Sequence, residues 1–543
     1  MYDIMIFHLL AKKDELDQVL VAMADKLSKF LPLIGGPDHA HTLISLFEVL
    51  CEAEEITVRE ATVSSICAIL KQLGPSHKPA ILSYFDLFKR LSNEEAGELF
   101  YARVSCCHLV PELYKLLNDS DRVVVREIYA RLCKDELPIV RRAAALQFLK
   151  LSQYLDADAL IGDFFTLFNT LVNDESQTVQ IIALEILAPY SALLKTFNHN
   201  ALLTSDVLST IKTFTDSQSW KMRQSLAKKF GMFAKIFTVQ EVTSDVFPCL
   251  INLVQDPEPE VRSLAILEVL PFLDTLGTTP FITEFAPVAQ QLIHDPIANV
   301  RRILADLSVD VVAKLDAAAV SQYLSDLIMK LMEDDDPQVR LGVIKKIPII
   351  AEEAPSLCTR MTEILKVMFN NNFWRIRMEL VSTMPLIVKH MGQDYYNDHF
   401  FQLTLNLLKD PVESVRTTTA SVVPLIAAVS DLNWSYESLF PPIKLMSSAD
   451  FTIRISMISA LEGFLRIENL SDKFHSEVIN LLITTASDKV PNIRIRAAQG
   501  INIALSLSYI GRTYGDTLQY ARNDLLKDKD KDVKYFAAKG VHE

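Results

Sequence analysis

Glycine is scarce in this sequence, which has 14 glycines among 543 residues. Proteins average about 7% glycine, and glycine supplies most tight turns with positive φ and most loops that wrap around phosphate groups. The sequence also lacks Gly-x-Gly-x-x-Gly, Gly-x-x-x-x-Gly-Lys-Ser/Thr, Gly-x-Ser-x-Gly and His-Glu-x-x-His. We therefore expect no catalytic residues, and we expect helices joined by short turns.

Basic residues are outnumbered, with 54 Lys and Arg against 68 Asp and Glu. Nucleic-acid binding depends on Lys and Arg that neutralise phosphates, so we expect no nucleic-acid partner.

The seven cysteines form an odd set without Cys-x-x-Cys, as is typical of a reduced intracellular protein. No run reaches 18 apolar residues, and the N-terminus lacks a secretory signal pattern. We expect no membrane insertion and a cytoplasmic location, with the nucleus as the alternative.

Three groups of residues could be taken for metal ligands. The alternating acids of 528–532 imitate a calcium loop, but Val533 stands where such a loop needs glycine. The acidic run 333–336 could bind a metal or a basic partner, although we favour the ordinary acidic end of a turn between helices. His39 and His41 have no third ligand at a suitable spacing. We expect no metal and no cofactor.

An apolar residue followed by Arg or Lys recurs along the chain, and we call each such pair a mark. Three weaker copies, Val19-Leu20, Ala102-Arg103 and Val179-Gln180, bring the number of marks to fourteen, spaced 37 to 44 residues apart. The other marks are Val58-Arg59, Val140-Arg141, Met222-Arg223, Val261-Arg262, Val300-Arg301, Val339-Arg340, Ile376-Arg377, Val415-Arg416, Ile453-Arg454, Ile493-Arg494 and Val533-Lys534. A fixed period near 40 residues is the signature of a helical repeat architecture.

Each repeat contains two helix-like stretches separated by a turn just before the mark. Eight turns place Asp six residues before the basic position, and four of them place Pro three residues before it. An acid and a proline both favour a helix N-terminus, so a second helix begins there. The downstream stretch of one repeat has apolar residues spaced to share one helix face, namely Val261, Leu264, Ala265, Leu267 and Leu270. Each repeat is therefore predicted to be a helical hairpin.

A hairpin of about 40 residues cannot bury its apolar faces alone, but a stack of hairpins can. The sequence predicts an all-α fold, an α-solenoid or superhelix of about 14 repeats, each a helical hairpin of about 39 residues. No linker interrupts residues 1–543, so we expect a single array. A short helix over 3–12 is predicted before the first mark.

The turns before the marks are the candidate binding surface, because equivalent turns of stacked hairpins align along one edge. The residue three before each mark is chemically varied, and two of the chain's three tryptophans, Trp220 and Trp374, stand there. Exposed aromatic side chains are frequent anchors of protein interfaces. We favour partner contact over the alternative that these rings only cover the ends of their hairpins.

Several stretches resemble a known family of HEAT-repeat proteins, the scaffold (A, structural regulatory) subunits of protein phosphatase 2A. The resemblance covers the whole chain in the same order and is carried by Leu-Ile-Gly-Gly-Pro at 33–37, Pro-Ile-Val-Arg-Arg-Ala-Ala-Ala at 138–145, Ser-Trp-Lys-Met-Arg at 219–223, Phe-Trp-Arg-Ile-Arg at 373–377 and Asp-Val-Lys-Tyr-Phe-Ala at 532–537. It implies ladders of Asp and Arg side chains between neighbouring repeats. The fourteen marks align with repeats two to fifteen of the family, so the first repeat is expected to be absent.

The resemblance also implies a function, that of a non-catalytic scaffold subunit of a Ser/Thr protein phosphatase 2A holoenzyme. Its implied partners are a Ser/Thr phosphatase catalytic subunit, together with an interchangeable regulatory (B-type) subunit, and no homo-oligomer is needed. The catalytic-subunit-binding end would be 355–543, with Trp374, Arg375, Val412, Phe451, Arg454, Val490 and Lys534. The regulatory-subunit-binding half would be 1–280, with Glu54, Glu55, Phe100, Pro138, Arg141, Arg142, Trp220 and Lys221.

The alternative is a HEAT solenoid with another task, such as a nuclear-transport receptor or a vesicle-coat component. A transport receptor would be expected to have a longer array and an acidic inner loop, and only the run 333–336 suggests such a loop. An enzyme is the third class, which the missing catalytic motifs disfavour.

Overall fold

The computed structural model of the protein describes residues 17–93 and 100–539, so the helix predicted over 3–12 lies outside the described residues. All regular structure in these two ranges is helical, which confirms the predicted all-α class. The chain forms two compact units, residues 1–280 and 281–543. Each unit is a stack of helical hairpins.

The helices of the first unit follow the predicted order of hairpins. The α-helices are Asp17–Leu27, Ile44–Cys51, Ile56–Leu70, Lys78–Leu91, Phe100–Leu116, Asp119–Leu132, Pro138–Ser152, Ala157–Ile161, Asp163–Val172, Gln177–Thr196, Asn200–Leu202, Leu208–Thr215, Trp220–Ala227, Phe233–Ile236, Val239–Glu241, Phe247–Val254, Pro259–Leu267 and Leu270–Leu276. Short 3-10 helices cover Ser28–Ile34, Pro37–Leu43, Pro75–His77 and Phe230–Met232. Single π-turns cover Leu203–Val207 and Val242–Val246.

The helices of the second unit repeat the same arrangement. The α-helices are Thr278–Leu292, Ala298–Val312, Ala317–Ala319, Ser325–Met332, Pro337–Ile344, Ile347–Glu353, Pro355–Met368, Trp374–Met391, Gln393–His399, Phe401–Leu407, Glu413–Val429, Leu432–Trp434, Phe440–Leu445, Phe451–Leu465, Asp472–Thr485, Pro491–Ser506, Ser508–Leu525 and Lys531–Ala538. Val320–Leu324 and Ser435–Leu439 are π-turns, and Met446–Ser448 is a 3-10 turn.

The hairpin of helices 355–368 and 374–391 shows how local sequence sets the helix ends. Pro355 occupies the first turn of the first helix, where its missing N–H costs nothing. The second helix ends at Gly392, whose φ of 93° is disfavoured for a residue with a side chain. These two residues mark the boundaries of the hairpin in the sequence itself.

The core lies between the second helices of successive hairpins. In helix 374–391 the inward face consists of side chains with no exposed surface, namely Ile376, Leu380, Val381, Met384 and Ile387. This helix packs against helix 413–429 of the next hairpin. Each buried aliphatic side chain contributes about 1.5–3 kcal/mol. The apolar periodicity of the second helices therefore holds the stack together.

The common apolar face predicted for the stretch from Val261 to Leu270 is wrong in part. Val261 and Ala265 are fully buried, but Leu267 is 57% exposed. The reason is a break: one helix ends at Leu267 and the next begins at Leu270. Pro271 lacks a backbone N–H and cannot continue the first helix, so the face does not run through the break.

Helix 177–196 is the only helix among the described residues that is long and apolar enough to cross a membrane. Half of its most apolar stretch is buried inside the protein, as in the core helix of a solenoid. It packs against helices 138–152 and 220–227 of the neighbouring hairpins. Its composition is therefore explained by its position in the stack.

Candidate partner-binding ridge

The turns between the two helices of each hairpin define a surface that we call the turn ridge. Within a turn, the Asp carboxylate accepts a hydrogen bond from the backbone N–H two residues later, as in Asp410 with Val412 at 2.8 Å. The same bond, at 2.8 to 2.9 Å, forms in seven other turns and involves Asp135, Asp174, Asp256, Asp295, Asp334, Asp488 and Asp528. The aspartate thus closes the turn just before the second helix begins.

The arginine of each mark joins two neighbouring repeats. Nη1 of Arg416 donates to the backbone carbonyl of Asp410 in its own turn at 2.7 Å. Nε and Nη2 of Arg377 form a fork that donates to Oδ2 and Oδ1 of Asp410, in the next repeat, at 2.7 and 2.8 Å. Equivalent forks join Arg103 to Asp135, Arg141 to Asp174, Arg223 to Asp256, Arg301 to Asp334 and Arg494 to Asp528, and Arg454 donates to Asp488 through Nη2 alone. The Asp–Arg ladder implied by the resemblance is confirmed within each unit.

The ion pairs of the ladder are buried, so they are strong interactions between neighbouring repeats. The side chains of Arg377 and Asp410 are 10% and 4% exposed, and the paired geometry is the bidentate one that gives the strongest charge-assisted hydrogen bonds. At the last rung, the hydrogen bonds from Arg494 lower the pKa of Asp528, and those bonds raise the pKa of Arg494. The ladder therefore fixes the spacing of the turns along the ridge.

The residues predicted to bind a catalytic subunit lie on equivalent turns of the second unit. Phe451 is 47% exposed and Lys534 is exposed. Trp374 is partly buried, and the exposed guanidinium of Arg375 stacks over its ring with 4.5 Å to the ring centroid. Val412 and Val490 are the N-cap residues of their helices. Arg454 is committed to Asp488, so it belongs to the ladder as well.

The residues predicted to bind a regulatory subunit lie on turns of the first unit. The structure places Glu54, Pro138, Arg142, Trp220 and Lys221 at the surface, and Trp220 is 37% exposed. Glu55 caps helix 56–70, and Phe100 is partly buried at the start of its helix. Arg141 is 7% exposed and holds Asp174. Arg141 therefore has a structural role in the ladder, and its contact with a partner stays a prediction.

Sequence reasoning missed apolar residues beside the sampled position of each turn. Leu137 and Ile139 are 39% and 47% exposed on either side of Pro138, and Tyr535 is 57% exposed next to Lys534. The signal was present, because these residues adjoin positions already assigned to the ridge. The turn ridge is therefore more apolar than one residue per turn suggested.

The acidic groups considered as metal sites are used by the turns. Asp334 pairs with Arg301, and the carboxylate of Asp336 caps helix 337–344. Burial alone would raise the pKa of Asp334, but hydrogen bonds from Arg301 and from the backbone lower it. In the other run, Asp530 caps helix 531–538. Within residues 17–93 and 100–539, no three His, Cys, Asp or Glu side chains are grouped as metal ligands.

The stacked hairpins and the Asp–Arg ladder define the chain as a helical-repeat solenoid, and solved structures agree. A crystal structure of Kap121p bound to Pho4p matches 99% of this chain and 52% of that chain, with a TM-score of 0.53 and 14% sequence identity. A structure of Kap95p with RanGDP matches 91% of this chain and 67% of that chain, with a TM-score of 0.52 and 14% identity. At this identity the likeness shows the fold alone.

Relatives found by sequence show which helical-repeat proteins this chain is similar to. The chain is 32% identical over 228 residues to the regulatory A subunit of protein phosphatase PP2A from Schizosaccharomyces pombe, which is 41% of this chain and 37% of the relative. It is 39% identical over 150 residues to the 65 kDa regulatory A alpha isoform of Arabidopsis thaliana, 28% of this chain and 25% of the relative. It is 26% identical over 342 residues to the human A beta isoform, 62% and 55% respectively.

The matched segments thus span about a quarter to a half of the length of these relatives. No family model matches the chain. The chain is similar in sequence to regulatory A subunits of protein phosphatase 2A, as the motifs indicated. These relatives are named as regulatory rather than catalytic subunits, in agreement with the lack of a catalytic motif in the sequence.

Proposed function

We propose that this protein is a non-catalytic scaffold that holds a Ser/Thr phosphatase catalytic subunit on the turns of 355–543 and a regulatory subunit on the turns of 1–280. The observation that carries the proposal is the sequence similarity to regulatory A subunits of protein phosphatase 2A from fungi, plants and animals. The turn ridge supports it, because it presents aromatic and basic side chains such as Phe451, Arg375 and Trp220 at its surface.

The scaffold would act through effective concentration. Two partners that bind one body at separate sites meet each other as if at high local concentration, without any new contact between them. The Asp–Arg ladder supports this role within each unit, because bidentate ion pairs fix the position of each turn relative to the next.

A nuclear-transport receptor is the second candidate, since the solved structures of similar fold described above are karyopherins. Their identity to this chain is 14%, whereas the relatives found by sequence reach 26% to 39% identity and are phosphatase regulatory subunits. The scaffold assignment is therefore better supported.

The test is a binding assay with two reciprocal variants. Purified chain is immobilised, and affinities are measured in separate experiments for a protein phosphatase 2A catalytic subunit, then for a B-type regulatory subunit. Trp374→Ala should weaken binding of the catalytic subunit by about 2 kcal/mol, or roughly 30-fold, and leave the regulatory subunit unaffected. Trp220→Ala is the matched control on the first unit, and it should show the opposite pattern. Failure of the wild-type chain to bind a catalytic subunit would refute the proposal.

A further inference from the structure

The Asp–Arg ladder has gaps, and the gaps coincide with the aromatic turns. Four turns carry an aromatic residue three positions before the basic position of the mark, namely Phe100, Trp220, Trp374 and Phe451. Each of these turns lacks the ladder aspartate three residues earlier, where Gly97, Ser217, Asn371 and Ser448 stand. None of the eight turns that keep the aspartate has an aromatic residue at the later position. Aspartate and aromatic residue therefore exclude each other along the ridge.

In the first unit, the residue at the arginine position before each gap does not need an acid in the next turn. Arg59 precedes the Phe100 turn, and its guanidinium stacks on the ring of Tyr101 with 4.6 Å to the centroid. Gln180 precedes the Ser217 turn, so no charge stands there. Both gaps are compensated within the chain.

In the second unit, an arginine stands before each of the two gaps, although the next turn offers it no aspartate. Arg340 precedes the Asn371 turn and Arg416 precedes the Ser448 turn. In both, Nη1 is held by carbonyls of its own turn. Nε is buried and has no hydrogen-bond partner among the residues that the structure describes in Arg340 and Arg416, and also in Arg454, whose Nη2 nevertheless donates to Asp488. Unlike Arg454, neither Arg340 nor Arg416 forms an ion pair with a carboxylate among the described residues. A buried charged group without an opposite charge is costly, so these two open forks need an explanation.

The turn that follows Arg416 in the ladder, at Ser448, is accessible from outside. Arg416 is 8% exposed, but Ser448 is exposed, whereas the aspartate of a filled rung such as Asp410 is 6% exposed. The same turn carries Leu445, which is 77% exposed, and Phe451, which is 47% exposed. A positively charged fork on a turn with two exposed apolar side chains suits an acidic residue beside an apolar one.

We propose that the open forks of Arg340 and Arg416 bind carboxylate side chains of the phosphatase catalytic subunit, which complete the ladder from outside the chain. This inference rests on the proposed function. A carboxylate is the favoured occupant because six filled forks of the described ladder hold an aspartate in bidentate geometry. The adjoining aromatic side chains, Trp374 and Phe451, then contact apolar groups of the same partner.

The test gives one of the two open forks a carboxylate from within the chain. Ser448→Asp restores the acid at the ladder position, so its carboxylate competes with the partner for Arg416. Ser447→Asp is the matched control, because it adds the same charge to the neighbouring exposed residue. The dissociation constant of a purified protein phosphatase 2A catalytic subunit is measured for the full chain and each variant. We expect Ser448→Asp to weaken binding at least tenfold and Ser447→Asp to change it less than threefold.

Two further measurements make the outcome decisive. Ser448→Asp should raise the thermal unfolding midpoint, because the new carboxylate satisfies a buried donor. Arg416→Gln removes the charge of the fork and should weaken binding at least tenfold without any new acid. Wild-type binding with unchanged affinity in both Ser448→Asp and Arg416→Gln would overturn this inference and leave the proposed function standing. Absence of wild-type binding would overturn both.

Discussion

Removing the acid from a filled rung should loosen the stack locally, and Asp410→Asn is the sharpest case. Asp410 accepts two hydrogen bonds from the guanidinium of Arg377, with both side chains nearly buried. The asparagine keeps one acceptor for the N–H of Val412 but turns an amide N–H toward the Arg377 fork. Breaking a buried ion pair costs about 3–5 kcal/mol. Because one acceptor remains, we expect a smaller cost here, about 2–3 kcal/mol.

The assay is native-state hydrogen exchange, because it measures the local opening of individual helices within a solenoid. Amides of helices 374–391 and 413–429 should exchange about 30- to 150-fold faster, the factor that corresponds to 2–3 kcal/mol. The control is Asp326→Asn, which breaks an exposed pair with Arg360 whose side chains are 78% and 49% exposed. It should cost at most about 0.5 kcal/mol. Exchange within threefold of wild type in Asp410→Asn would refute the structural role of the ladder.

Two other substitutions test how neighbouring hairpins approach each other. Gly463→Ala would place Cβ 2.5 Å from Cγ of Pro424 in the preceding second helix, so we expect about 1–3 kcal/mol of destabilisation by chemical denaturation. Gly515→Ala meets open space within a helix and should stabilise by about 0.5–1 kcal/mol, and equal effects of the two would contradict this packing. Burial raises the pKa of Glu268, whose carboxylate accepts a hydrogen bond from Gly231. Since the pKa is higher in the folded state, the stabilisation from this group is full below its unfolded pKa and is lost as pH rises through its folded pKa. Glu268→Gln should therefore raise the thermal midpoint more at pH 8 than at pH 4, and an equal change at both values would refute the assignment.

The candidate site was predictable where it depends on single turns. Trp220, Phe451, Arg375 and Lys534 were placed on the ridge from their spacing and from the family resemblance, and the structure locates them on its turns. Arg141 shows the limit, since the same spacing marks a residue that is buried in the ladder. Whether an arginine is paired with an acid depends on the residue that stands 32 to 34 positions later, in the next hairpin.

The sequence by itself determined the hairpins, their number and their order, because helix starts, helix ends and apolar faces are encoded by residues a few positions apart. Pro355 and Gly392 bound their hairpin without help from the rest of the chain. Only the tertiary structure decided that the fork of Arg377 meets Asp410 of the next hairpin and that Nε of Arg340 and Arg416 is left without a partner among the described residues. The physical reason is that a fork is completed by the neighbouring hairpin, so its state depends on how two repeats stack and on what the next turn offers.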